Sequence, residues 1–231
     1  MANRENGKAG TGERVVVIGL GRFGTSLART LHALGYEVTG IDTVEKRVAA
    51  AADFVTLAVQ GDGGDEALLR SLAVDRSDFG VVAQTENVET SALAAMILKR
   101  LGVGWVVAKA ANDLHAELLR RVGADRVVFP EQDAGLRLGH SLSVRYINDY
   151  IPLSPFTGVA KLRAPAHFVG CSLGELCAPH AGRLDVLLIQ RGREVITAPA
   201  PEDRIAAGDE LLVVGADPTI DAFAEPDDAP S

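Results

Sequence analysis

Six short runs rich in valine and isoleucine, separated by segments of helical periodicity, leave this chain a narrow choice of folds. The runs are residues 14–19, 37–42, 54–59, 79–84, 105–110 and 126–130; the segments between them are 23–34, 45–52, 66–72, 88–101 and 114–122. A strand that is apolar at nearly every position is buried on both faces, which requires helices above and below the sheet. The alternation therefore predicts a doubly wound parallel α/β sheet of Rossmann type over residues 14–145.

After Pro130 the pattern changes. Residues 131–148 read as one helix, although Gly135 and Gly139 weaken it. Two prolines in YIPLSPFTG stop any helix and mark residues 146–158 as a linker. Short alternating strands and one brief helix at SLGELC then predict a small α+β lobe over 159–223, with too little core to stand without a partner. Residues 1–13 and the acidic 224–231 read as disordered tails.

The first strand runs into G-x-G-x-x-G, formed by Gly19, Gly21 and Gly24, with a helix beginning at once. Gly19 permits the tight turn, Gly21 lets backbone approach a pyrophosphate, and Gly24 packs helix against strand. Phosphate oxygens would meet the free N–H groups and positive dipole end of that helix. Asp42 ends the second strand, 21 residues after Gly21, where a carboxylate can accept from both ribose hydroxyls and disfavours a 2′-phosphate. Arg22 lies inside the turn and suits a ligand richer in negative charge than NAD, such as ATP or ADP; alternatively it is a solvated surface arginine. Lys109 ends the fifth strand and offers a second cation, or simply snorkels there. Asp62 in QGDGGD either borders the adenine or forms a turn.

Other classes of function find little support. The net charge of −8 and absence of a basic stripe speak against nucleic acid. No apolar stretch approaches the length needed to span a bilayer, so a cytoplasmic protein is expected. Cys171 and Cys177 stand six apart, which fits no common zinc spacing, and read as reduced thiols. His167 and His180 have no partner carboxylate in a local motif, and neither Tyr-x-x-x-Lys, G-x-S-x-G, H-E-x-x-H nor a Walker lysine occurs. The site reads as one that senses a nucleotide without transforming it.

IGLGRFG, GID, the KA after WVVA, GADRVVFPEQD, VGCSLGEL and DELLVVG together resemble the RCK (TrkA/KTN) family, in particular the single-repeat KtrA-type regulatory subunits of Ktr/Trk potassium uptake systems. The resemblance implies dimers through residues 130–231 that assemble into a ring, expected to be octameric, docked on the inner face of the membrane under a potassium channel or transporter. It implies gating by ATP and ADP, or by NAD and NADH in some members, without catalysis. Gly19, Gly21, Phe23 and Gly24 match the phosphate turn, Arg22 the arginine that reaches phosphate, Asp42 the ribose ligand and Lys109 the family lysine. Glu131 matches an acidic residue that holds a divalent cation such as Mg²⁺ at a subunit interface; its own position reads only as an acid complementing a helix dipole. Val44 departs from the family's polar residue after the ribose carboxylate, which leaves ATP against NAD open. An NAD-dependent oxidoreductase or redox sensor is the alternative, and a Rossmann-cored transcriptional regulator is weakened by the negative charge.

Overall fold

A computed structural model describes residues 12–143, 147–154 and 156–225, so most of the two expected tails lies outside the described residues. The chain divides into two compact units, Met1–Pro130 and Glu131–Ser231.

The first unit alternates as its sequence requires: β1 (Arg14–Ile18), α1 (Arg22–Ala33), β2 (Glu37–Asp42), α2 (Glu45–Ala51), β3 (Leu57–Gln60), α3 (Glu66–Ser71), β4 (Phe79–Val82), α4 (Val88–Arg100), β5 (Trp105–Lys109), α5 (Asp113–Arg121) and β6 (Arg126–Val128). All pairings are parallel, in the order β3-β2-β1-β4-β5-β6. Successive residues of β1 feed opposite cores, which is why the run is apolar throughout. Val16 and Ile18 join Ala94, Leu98 and Leu119 from α4 and α5. Val15 and Val17 join Ala28 and Ala51 from α1 and α2. Strand order reverses between β1 and β4, and a ligand of such a sheet binds in the crevice outside the carboxyl ends of those strands.

Local chemistry sets the helix ends. Asp65, Asn87 and Asn112 cap α3, α4 and α5 through side-chain oxygens that accept first-turn N–H groups. His115, in the first turn of α5, is only 2% exposed; its Nδ1 accepts the Ala111 N–H at 3.2 Å, and its Nε2 is buried without a partner among the described residues. Burial pushes its pKa below the ordinary value. The neutral ring thus contributes stability that is complete above the unfolded pKa of about 6.5 and is lost as pH falls through the lower folded value. Thermal melts should show lower stability at pH 5.5 than at pH 7.5, with the difference smaller in His115→Gln, whose amide oxygen can keep the Ala111 bond. An identical difference in the variant would remove His115 from the account.

The second unit contains α6 (Pro130–Ser143), which begins at the boundary, β7 (Ile147–Ser154), β8 (Thr157–Arg163), α7 (Leu173–Cys177), β9 (Leu184–Arg191), β10 (Glu194–Thr197), β11 (Glu210–Ala216) and α8 (Asp217–Ala224). The strands form an antiparallel sheet in the order β10-β9-β11-β8-β7. Ser172 and Glu175 close a capping box at α7. Two expectations are corrected here. The helix read over 131–148 is described over Pro130–Ser143, does not reach Ile147, where β7 begins, and belongs with the second unit. Residues 146–158, read as a linker, supply β7 and the start of β8. Pro152 is tolerated because β7 is an edge strand, with a neighbour on one side only, and the register shifts just after it, between Pro152 and Ser154. The unit closes on α8, whose Ile220 and Phe223, inside the lobe expected over 159–223, are buried in its core.

Candidate functional site

The glycine turn joins β1 to α1 at the switch point. Gly19 has φ +96°, and a Cβ there would stand 2.9 Å from the backbone nitrogen of Gln84, so both conformation and space demand glycine. At Gly24 a Cβ would fall 1.8 Å from the carbonyl oxygen of Gly19, so helix and turn touch through backbone. Gly21 differs: nothing lies within 4 Å of an added Cβ. The one glycine assigned to ligand approach is therefore the one facing open space.

Gly21 is the N-cap of α1 and has no side chain to offer. First-turn amides have no intrahelical acceptor, so those of Arg22, Phe23 and Gly24 await an external one. Arg22 is exposed and forms no hydrogen bond or ion pair among the described residues. Phe23 lies beneath Lys109, whose Nζ is 5.9 Å from the ring centroid, which brings the end of β5 to the start of α1. The buried Nε2 of Gln84, just past β4, has no hydrogen-bond partner among the described residues. Open backbone at Gly21, uncapped amides, the neighbouring cations Arg22 and Lys109 and an orphaned amide fit an anionic, hydrogen-bonding ligand such as a nucleotide.

Asp42 is only 6% exposed at the end of β2. Its Oδ2 accepts the Leu20 N–H at 2.7 Å and its Oδ1 the Val44 N–H at 2.8 Å, so the carboxylate fastens the glycine turn to the next loop. Arg47 Nη1 also reaches Oδ2, at 3.4 Å, while its Nη2 is 3.8 Å from Glu86. Asp62 is exposed and its Oδ1 accepts the Gly64 N–H at 2.8 Å, an Asx turn that shapes the loop after β3. That loop packs closely on the turn's strand, since a Cβ on Gly63 would lie 2.1 Å from Ile18. Glu131 is exposed in the first turn of α6, in the second unit. Among the described residues no three His, Cys, Asp or Glu side chains gather as a metal site. Gln84 and Arg47 were missed by sequence reasoning. Neither belongs to a spacing motif, and only the sheet order places them beside β1.

Comparison with known proteins agrees with this architecture. The TrkA-N domain family matches residues 15–130 and the TrkA-C domain family residues 159–226. The chain is 36% identical to Ktr system potassium uptake protein C of Bacillus subtilis (strain 168), over 90% of this chain and 94% of that one. It is 34% identical to protein A of the same organism, over 88% and 91%. Protein A of Vibrio alginolyticus is 32% identical, over 89% and 94%. Among solved structures, the GsuK RCK domain superposes with TM-score 0.63 at 18% identity, covering 98% of this chain and 50% of that one. The GsuK channel bound to NAD gives 0.61 at 20%, covering 97% and 42%. The chain thus spans half or less of those GsuK chains, and at such identities the likeness is one of fold. No helix among the described residues is long and apolar enough to cross a membrane.

Proposed function

The chain belongs to the RCK family defined by the TrkA-N and TrkA-C domains, and from that premise we propose that it is a nucleotide-sensing regulatory subunit of a membrane potassium uptake system. The carrying observation is the open approach at Gly21 beside an uncapped helix start, which is what a bound pyrophosphate needs. The relatives named as potassium uptake proteins are covered over more than nine-tenths of their length, which supports reading the whole chain by analogy with them.

In this reading Gly19, Gly21, Phe23 and Gly24 form the phosphate turn, Asp42 receives the ribose, and Arg22 and Lys109 supply positive charge. Asp62 shapes the adjoining loop. No catalytic step is assigned to the chain. ATP or ADP is the favoured ligand because of Arg22, with NAD or NADH as the alternative. A structural neighbour, the Kef C-terminal domain of Shewanella denitrificans, is described in an AMP-bound form, at TM-score 0.51 and 22% identity. A ligand changes the state of such a subunit only by binding one arrangement more tightly than another. That calls for an assembly, proposed as dimers built into an octameric ring on the cytoplasmic side of a transporter. Leu136, Leu138 and Leu142 of α6 are exposed leucines that such a dimer would cover. Glu131 would hold Mg²⁺ only with ligands from another subunit.

The test is calorimetric titration of ATP, ADP, NAD and NADH, with and without Mg²⁺, into the chain and Arg22→Ala. Arg22 makes no hydrogen bond or ion pair among the described residues, so its removal should leave the fold alone. ATP or ADP affinity should fall roughly tenfold or more, the scale of a charge-assisted contact. NAD(H) binding indifferent to Arg22 would remove ATP from the reading and favour redox sensing. Binding of none of the four would end the nucleotide reading. Asp42→Ala is a poor probe, because losing the carboxylate also frees the Leu20 amide that shapes the turn.

A further inference from the structure

A carboxylate offers about four lone-pair positions. At Asp42 three are filled: Oδ2 takes the Leu20 N–H at 2.7 Å and Arg47 Nη1 at 3.4 Å, and Oδ1 takes the Val44 N–H at 2.8 Å. One position is left, whereas a ribose clasped through its 2′ and 3′ hydroxyls needs two. Something must yield. The Leu20 and Val44 donors are backbone amides of the turn and of the α2 N-cap, short and fixed by the fold. Arg47 makes the longest of the three contacts, from a flexible side chain that is 41% exposed, and Glu86 stands 3.8 Å away as an alternative partner.

The bridge also lies in the ligand's way. Asp42 ends β2 and Glu86 follows β4, and β1 lies between those strands in the sheet. A guanidinium shared by the two carboxylates therefore crosses the end of β1, where the glycine turn starts.

We propose that Arg47 is a specificity-determining residue that competes with the ligand's ribose for Asp42 and so sets how strongly the site distinguishes ribose from sugars lacking its hydroxyls. This rests on the nucleotide reading above and on Asp42 as the ribose acceptor. A ligand that presents both hydroxyls displaces Arg47 towards Glu86; one without them leaves the Arg47–Asp42 contact intact. The competition lowers nucleotide affinity without touching the phosphate seat.

The experiment is calorimetric comparison of ATP with 2′,3′-dideoxy-ATP on the full chain and on Arg47→Met, which keeps the aliphatic stem on α2. For a chain that takes only NAD, the same pair is used in the NAD series. The dissociation constant of dideoxy-ATP divided by that of ATP cancels the general loss of positive charge. This ratio should be about three- to fivefold larger in Arg47→Met than in the wild type, the scale of a partly exposed ion pair. An equal or smaller ratio overturns the inference, as does binding that ignores the hydroxyls in both proteins, and either result leaves nucleotide binding standing. Failure of the wild type to bind ATP, ADP or NAD would instead bring down the functional reading, and this inference with it.

Discussion

Gly24→Ala is expected to destabilise the first unit by about 2–3 kcal/mol and to abolish nucleotide binding, whereas Gly21→Ala should leave stability within about 0.5 kcal/mol and still cost at least roughly tenfold in affinity. The two substitutions add the same methyl group three residues apart. At Gly24 it would stand 1.8 Å from the Gly19 carbonyl oxygen. That atom is backbone and cannot swing aside, so α1 must lift off the turn. Alanine's better helix propensity, worth about 1 kcal/mol, offsets only part of the clash. At Gly21, φ −68° and ψ −172° suit any residue, and no atom lies within 4 Å. The methyl would occupy only the space a pyrophosphate needs. Urea denaturation followed by Trp105 fluorescence, with ATP titration of each folded variant, checks both. Undiminished binding by Gly21→Ala would sink the phosphate seat; native stability in Gly24→Ala would mean that the turn is looser than its geometry.

Asp209→Ala should unfold the second unit more easily by about 2–3 kcal/mol while the first unit's transition stays in place. Asp209 is only 1% exposed. Its two oxygens accept Arg191 Nε at 3.0 Å and Nη2 at 2.8 Å, and Oδ2 also takes the Ala206 N–H at 2.8 Å. Arg191 Nη2 reaches the Arg204 carbonyl as well, so one ion pair ties β9 to the loop before β11. Removal strands the Ala206 amide and the guanidinium, but Arg191 is 40% exposed and water can recover part of the loss, which keeps the expectation below that for a fully buried pair. The Arg191 hydrogen bond holds the Asp209 carboxyl below the usual carboxylate range despite burial. Its contribution is therefore present above the unfolded pKa of about 3.9 and lost as pH falls through the folded value, so wild type and variant should converge in strong acid. The only tryptophan, Trp105, lies in the first unit, so its fluorescence should not report the change that circular dichroism sees. A coincident shift in both signals would mean that the two units unfold together.

The amino-acid sequence by itself determined the first unit's architecture and the identity of its turn. Burial on both faces forces continuous apolar strands, helical period marks the segments between, and local geometry requires glycine at Gly19 and Gly24 of the motif. Such signals are short-range, so they survive without knowledge of the rest of the chain. Assignments that depended on a distant neighbour needed the tertiary structure. Residues 147–154 look like a linker until β8 pairs with them and Tyr150 packs over Gly158, where a Cβ would lie 2.2 Å from the ring. Asp42 was legible as a carboxylate at a strand end, but not as the acceptor that fastens the Leu20 and Val44 amides. Arg47 and Gln84 carried no signal at all, because they meet the site only through the order β2-β1-β4. Periodicity records which side of an element is buried. It does not record which polar atoms the fold then sets opposite one another, and it is their pairing, or lack of it, that makes the crevice a candidate site.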